Sequence, residues 1–233
     1  MSEMKNGIIA ILDALGIKGM WAREDPETVV KKWDYIIDDF KEFKNLNNED
    51  VKSTGKSKVV SFSDTVIITY VGDEDDELQL LNDMGLHLSL PFCNALLNGI
   101  FFRGIINKGK FKQTNRMIIG PAVDEAMAWY DRHDWIGIAL APSASFMLDA
   151  FENERGKIRW FTHYDVPFKN GIDKNTWVLA WPKFLKDTYE LQQTKQNPKS
   201  ALLNAFHKYP IGPDSISKYK NTVEFYDTIM KKT

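Results

Sequence analysis

Residues 58–70, KVVSFSDTVIITY, hold two runs rich in β-branched and aromatic residues, with only Ser63 and Asp64 between them. Such runs read as strands, and a two-residue link joins them as a tight hairpin. A link this short fixes the register and so assigns every side chain of both strands to a face. The usual residues for it are Asn-Gly or Asp-Gly; Ser-Asp is neither. Asp64 therefore has two readings. It can be a turn residue that bonds its own backbone, or an acid set where a hairpin emerges from a buried sheet in order to bind something.

The elements around the hairpin follow from period and punctuation. GIIAILD, Gly7 to Asp13, is a nearly continuous apolar strand, as expected for one covered on both faces. ALGIKGMW is a glycine-bearing loop, and Pro26 opens a helix in which Val29, Val30, Trp33, Ile36, Ile37, Phe40 and Phe43 recur at helical spacing. A polar link, NNEDVKSTGKS, precedes the hairpin. A second helix is expected from Glu77 to Asn98, with Leu78, Leu81, Met84, Leu88 and Phe92 on one face and Pro91 placed to kink it. IFFRGIINKGKF is a strand with Arg103 inside it, and RMIIG is a short one. Gly120-Pro121 starts a helix expected to run through Arg132. WIGIALAP is a strand, SASFMLDAF a helix, and IRWFTHYDV with NTWVLAWP a late hairpin. From Pro182 the pattern is helical to the end, broken at Asn197-Pro198 and at Pro210 to Pro213.

The order is β-α-β-β-α-β followed by further helix and strand pairs. That predicts an α+β fold of ferredoxin-like type, helices against an antiparallel-rich sheet. Residues 1–181 form the expected catalytic unit and residues 182–233 a C-terminal helical appendage. In this topology the first strand neighbours the central hairpin, so Asp13 falls beside Asp64. Two bare carboxylates repel, and a divalent metal bound through oxygen ligands resolves the conflict.

Composition narrows the function classes. A chain of 233 residues that is 43% hydrophobic can bury a large core, and its net charge of −2 offers no support for nucleic acid or anionic membrane as partner. The short acidic run GDEDDE, Gly72 to Glu77, reads as a solvated loop. No apolar run reaches the ~20 residues of a membrane span, and MSEMKNG does not read as a signal peptide. The single cysteine, Cys93, lies in the apolar stretch LPFCNALL and reads as a buried thiol in a reducing, cytoplasmic setting. His87, His133, His163 and His207 have no metal-ligand spacing and are expected to be surface or satisfied histidines. Trp21, Trp33, Trp129 and Trp135 are expected in the core or at a dimer contact.

Five stretches, in order, resemble the catalytic domain of the class III nucleotidyl cyclases. IIAILDALGI resembles that family's first-strand metal motif and phosphate loop, and SFSDTVII its hairpin with the second metal-binding Asp. FRGIINKG resembles the Arg-x-Gly-Ile strand with its glycine one place early, IIGPAVDEA the following Gly-x-x-Val-Asn-x-Ala helix start, and VPFKNGIDKNTWVL the late lysine hairpin. Together they span roughly Gly7 to Trp181. The wording of the last two looks closest to small stand-alone bacterial cyclases, among them the pyrimidine cyclases of Pycsar anti-phage defence.

The resemblance implies roles. Asp13 and Asp64, with the Ala14 carbonyl, would hold two Mg²⁺ or Mn²⁺ ions per site. The amides of Gly16, Ile17 and Lys18 would cradle phosphates. Arg103 and Lys169 would bind the triphosphate. The reaction would be attack of the ribose 3′-oxygen on the α-phosphorus with loss of pyrophosphate. The family's sites form between two domains, so the resemblance implies a homodimer with shared sites. Asp13, Asp64 and Arg103 of one subunit would then face Met117, Asp124 and Lys169 of the other. A separate effector that senses the cyclic nucleotide would act downstream.

The departures shape the expected substrate. Asp124 stands at the family's ribose-contacting Asn, and Ala128 at its transition-state Arg; Arg132, Arg116 and Lys174 are the cations near in sequence. Val60 and Met117 stand at the base-reading pair, where neither can make the hydrogen bonds that select a purine. A pyrimidine triphosphate, UTP before CTP, is the expected substrate. A purine cyclase with an unusual pocket and an inactive nucleotide-binding regulatory dimer are the alternatives.

Overall fold

The computed structural model describes residues 3–46, 56–72, 76–151, 158–194, 196–210 and 212–232. Most of the polar link before the hairpin, residues 73–75 of the acidic run and Ile211 of the last expected break lie outside these residues, as do the side chains of Lys18 and Phe43.

The hairpin consists of β2 (Lys56–Phe62) and β3 (Thr65–Val71), with Phe62 opposite Thr65. Its two-residue link places Ser63 at φ 55, a left-handed conformation that costs a non-glycine residue about 1 kcal/mol. β1 (Lys5–Leu15) is longer than its apolar centre and pairs antiparallel with β3 on one side and β4 (Phe101–Gln113) on the other. Residues Ile8 to Leu12 are fully buried, which explains their unbroken apolar run.

The sheet order is β2-β3-β1-β4-β6-β8-β7, with β5 (Ile118–Ile119) pairing β4. β6 (Gly137–Leu140) runs parallel to β4, and β7 (Phe161–Phe168) with β8 (Gly171–Leu179) forms the late hairpin. The other pairings are antiparallel. The fold is thus α+β with β1 central and flanked by the hairpin, the ferredoxin-like order.

α1 (Ile17–Met20) is a single turn inside the expected loop. α2 (Pro26–Leu46) buries Val29, Ile36, Ile37 and Phe40, while Val30 faces outward. α3 (Glu77–Leu97) continues through Pro91. α4 (Pro121–Trp129) stops three residues short of the expected end at Arg132, and α5 (Pro142–Ala150) follows β6. Helices α6 (Trp181–Leu191), α7 (Pro198–Lys208) and α8 (Ile216–Lys231) make up the C-terminal segment. Their buried side chains Leu185, Leu202, Phe206, Phe225 and Ile229 belong to the same apolar cluster as the sheet. The contacts are direct: Phe206 lies 5.4 Å from Phe101, Phe225 lies 4.7 Å from Trp135, and the buried Thr222 hydroxyl accepts the Ile136 amide. Among the described residues, no helix is long and apolar enough to cross a membrane.

Candidate active site

The register of β1 decides what surrounds Asp13. It lies opposite Thr65, the first residue after the hairpin turn, on β3 and opposite Arg103 on β4. The turn is tied down as well, since the Asp64 carbonyl accepts the Ala14 amide at 2.8 Å. Asp13 and Asp64 therefore come together at one end of the sheet, as their motifs imply. Cross-strand partners share a face, and Arg103 reaches Asp13 Oδ2 with Nε at 2.9 Å and Nη2 at 2.8 Å.

Burial holds the Asp13 carboxyl above the usual carboxylate range; Arg103 opposes this, while Asp64 and Asp131 add to it. A carboxylate that the guanidinium does not fully compensate is a fit for a further cation. Asp13, Asp64 and the Ala14 carbonyl are hard oxygen donors, and one or two carboxylates suffice for Mg²⁺ when phosphates complete its shell. Among the described residues, no set of three or more His, Cys, Asp or Glu side chains is gathered for a metal.

Gly16 closes β1 at φ 78 and begins α1, a conformation that suits glycine. Ile17 is half-buried in that turn, and Lys18 follows it.

The link between α4 and β6 supplies three residues that sequence reading left out of the site. The Asp131 carbonyl accepts Arg103 Nη1 at 3.0 Å, and its carboxylate lies 3.4 Å from Lys169 Nζ. The Tyr130 hydroxyl is made harder to ionise, by burial first and then by the charges of Asp13 and Asp131. His133 is fully buried with neither ring nitrogen hydrogen-bonded, and its ring lies 4.9 Å from Phe168. Burial, with Arg103 adding to it, lowers the His133 pKa to about 4. This corrects the expectation that every histidine is at the surface or satisfied. His87 does meet it: the Tyr70 hydroxyl and the Phe40 carbonyl occupy its two nitrogens. The expected helix through Arg132 hid Tyr130 and Asp131; the available signal was the dense polar run YDRHD between two apolar elements.

Lys169, expected to reach the site from the partner, joins this same chain's cluster through Asp131; its amide also donates to the Arg132 carbonyl at 3.2 Å. Beside it lies an open groove of about 630 Å³ lined by Ala128, Trp129, Asp131, Arg132, Phe168 and Lys169, among others. Trp129 and Phe168 face each other there at 5.9 Å.

Met117 and Val60 sit elsewhere. Met117 follows the far end of β4 and is 46% exposed, with its carbonyl accepting the Thr114 amide. At the rise of a strand, Gln113 is roughly 30 Å from Arg103. Val60 is half-buried on the edge strand β2, opposite Ile67. Asp124 is exposed in the first turn of α4, whose start is fixed by Asn107 Nδ2 on the Ala122 carbonyl. One chain therefore gathers Asp13, Asp64, Arg103 and Lys169 at one end and leaves Met117 at the other.

No protein-family model matches the sequence, and no curated protein does. Solved structures match in fold. The guanylyl cyclase domain of the RhoGC fusion protein from the aquatic fungus Blastocladiella emersonii, a monomeric double mutant, gives a TM-score of 0.51 at 12% identity over 76% of this chain and 96% of that one. The catalytic core of a rhodopsin–guanylyl cyclase with converted specificity, in complex with ATPαS, gives 0.50 at 12% identity over 76% of this chain and 97% of that one. The fold is that of these cyclase domains.

Proposed function

We propose that the chain is a nucleotidyl cyclase that converts a pyrimidine ribonucleoside triphosphate, UTP before CTP, to its 3′,5′-cyclic monophosphate. The ribose 3′-oxygen bonds to the α-phosphorus, the bond from that phosphorus to the bridging oxygen breaks, and pyrophosphate leaves. The 3′-hydroxyl proton passes to solvent. The observation that carries this reading is the placement of Asp13 between Arg103 and the Asp64 turn, in a fold shared with cyclase domains.

Asp13, Asp64 and the Ala14 carbonyl would hold Mg²⁺ or Mn²⁺, which supplies Lewis-acid charge to the phosphates. Arg103 and Lys169 offer five-donor and three-donor cations for phosphate oxygens, and Gly16, Ile17 and Lys18 the free amides of a first helical turn. Arg132 is the cation we assign to the place left by Ala128. It lines the same groove, and its Nε is anchored on the Ala128 carbonyl at 3.0 Å. Arg116 lies beyond the far end of β4, beside Thr114. Val60 and Met117 would make an apolar base pocket across a homodimer interface, with Asp124 at the ribose. Residues 1–181 would be the catalytic unit, with the C-terminal helices bracing it. The product would signal to a separate effector in anti-phage defence.

Incubating the protein with each of the four ribonucleoside triphosphates and Mn²⁺ tests this. Cyclic UMP as the main product is the expected result. Faster turnover of ATP or GTP than of either pyrimidine would replace it with a purine cyclase. Tight binding without turnover would favour an inactive regulatory dimer, the reading that Ala128 supports.

A further inference from the structure

Leu15 and Gly16, just beyond Asp13 on the chain, also wall a second cavity of about 380 Å³. The rest of its lining comes from the segment before α2, from Lys32 within α2, from Gly99, and from the end of α7. Tyr209 forms part of that wall. Its ring lies directly on the backbone of Gly99, where an added Cβ would come within 2.2 Å of the ring, and its carbonyl accepts the Tyr219 hydroxyl at 3.0 Å.

Two cations lie over this fixed ring, and a third, Arg23, lines the same cavity. Lys32 Nζ lies 4.9 Å and Lys208 Nζ 5.0 Å from its centroid. Arg23 Nη1 donates to the Pro210 carbonyl, a neutral acceptor. The one carboxylate lining the cavity, Glu24, is held by Lys32 at 2.6 Å. Among the described residues, the cavity is lined by three positive groups and one negative, in a chain whose net charge is −2. In the candidate active site Arg103 is matched by Asp13 and Lys169 by Asp131, while Arg132, like Arg23, meets a carbonyl.

We propose that this cavity binds a small phosphate-bearing anion, and that its occupancy tunes the Asp13 end of β1. A guanidinium and two ammoniums approaching from different sides suit a multi-oxygen dianion, which cancels the local excess of charge. The volume lies in the range of small-ligand sites. Leu15, Met20 and the Tyr209 ring supply the apolar surface such sites carry. The ligand would touch both Gly16 and the C-terminal helices, linking α7 to the residues that follow Asp13. Binding stands on the cavity alone; the tuning rests on the proposed cyclase reading.

Isothermal titration of the full chain with pyrophosphate, inorganic phosphate and UMP tests the site. The titration is run in Lys169→Ala protein, so that the active-site groove contributes less. One binding event is expected, weakened about tenfold or more by Lys208→Glu and by Lys32→Gln, each removing a charge-assisted contact. Thermal melts confirm that both variants fold; Lys208→Ala, at an exposed position, is the milder control. Tighter pyrophosphate than UMP would identify a reaction product as ligand, and the reverse order a nucleotide; either supports the site. No binding at low salt, or equal affinity in wild type and both variants, overturns it. For the tuning, the same probe should change the cyclisation rate of the wild type and not of Lys208→Glu. An equal rate change in both proteins would place the effect in the active-site groove and overturn the tuning. Absence of cyclisation with every triphosphate would remove the cyclase reading while the titration still decides the site.

Discussion

Arg103 and Asp13 stand directly opposite each other on β4 and β1, with Arg103 Nη2 2.8 Å from Asp13 Oδ2 and both side chains largely buried. Burial nevertheless outweighs the guanidinium and keeps the Asp13 carboxyl harder to ionise than usual. A carboxylate strained in this way gains from a second cation, and a guanidinium already in place can pass to a phosphate when one arrives.

The pair gives the first prediction. A carboxyl whose folded pKa is raised contributes stability below its unfolded pKa and loses it as pH rises through the folded one. Asp13→Asn should therefore fold at least as stably as wild type at neutral pH, with the difference vanishing below the ordinary value of 3.8. It should have no cyclase activity. Arg103→Ala removes the cation that opposes this burial, so it should raise the Asp13 pKa further and lower stability at pH 7. Melting curves across pH check both; an Asp13→Asn protein that is much less stable at pH 7 contradicts the account.

Metal should stabilise the wild type. At a concentration 100 times the dissociation constant the gain is about 2.7 kcal/mol, a rise of roughly 5–10 °C in Tm for a chain of this size. Asp64→Ala and Asp13→Asn should lose the rise. Equal Mn²⁺-induced shifts in all three proteins would mean that these carboxylates are not the ligands.

Arg132 should act in the rate and little in binding. Arg132→Ala is expected to lower kcat ~10²–10³-fold, the loss typical of one charge-stabilising donor, with KM little changed. Adding Ala128→Arg should restore part of the rate, because position 128 lines the same groove. Full activity in Arg132→Ala, measured on folded protein, would refute the role.

Shared sites can be detected by mixing. Asp64→Ala and Asp124→Ala subunits are each expected to be inactive alone. After exchange, half of the dimers are hybrids with one intact site of two, so about a quarter of wild-type activity should return. No recovery once subunit exchange has been verified would place the whole site in one chain.

His133 should govern the acid limb of stability. Its pKa is lowered to about 4, so its contribution is present above its unfolded value of 6.5 and lost as pH falls from there toward 4. The full effect is about 3 kcal/mol. His133→Phe keeps a ring against Phe168, removes two unbonded nitrogens, and should flatten the limb. An unchanged pH profile would count against the buried neutral imidazole.

Local chemistry along the chain accounts for the hairpin and the helix starts. Two strand-forming runs two residues apart had to form β2 and β3, and that put Asp64 in a turn. The unbroken apolar run at Ile8 to Leu12 had to be central, and Pro26 and Gly120-Pro121 had to open helices. Tertiary structure decided the rest. Asp13 and Arg103 are 90 residues apart, and only the strand order makes them partners. The end of α4 at Trp129, which turns Asp131 toward Arg103 and Lys169, depends on β6 and the late hairpin. So does the burial of His133, which a polar run would not suggest. Lys208 and Tyr209 reach Gly16 because α7 packs against the sheet through Phe206 and Phe101. Hairpins and helix starts are fixed within a few residues, whereas pairings across a sheet are set by which strands lie side by side, and no local pattern carries that order.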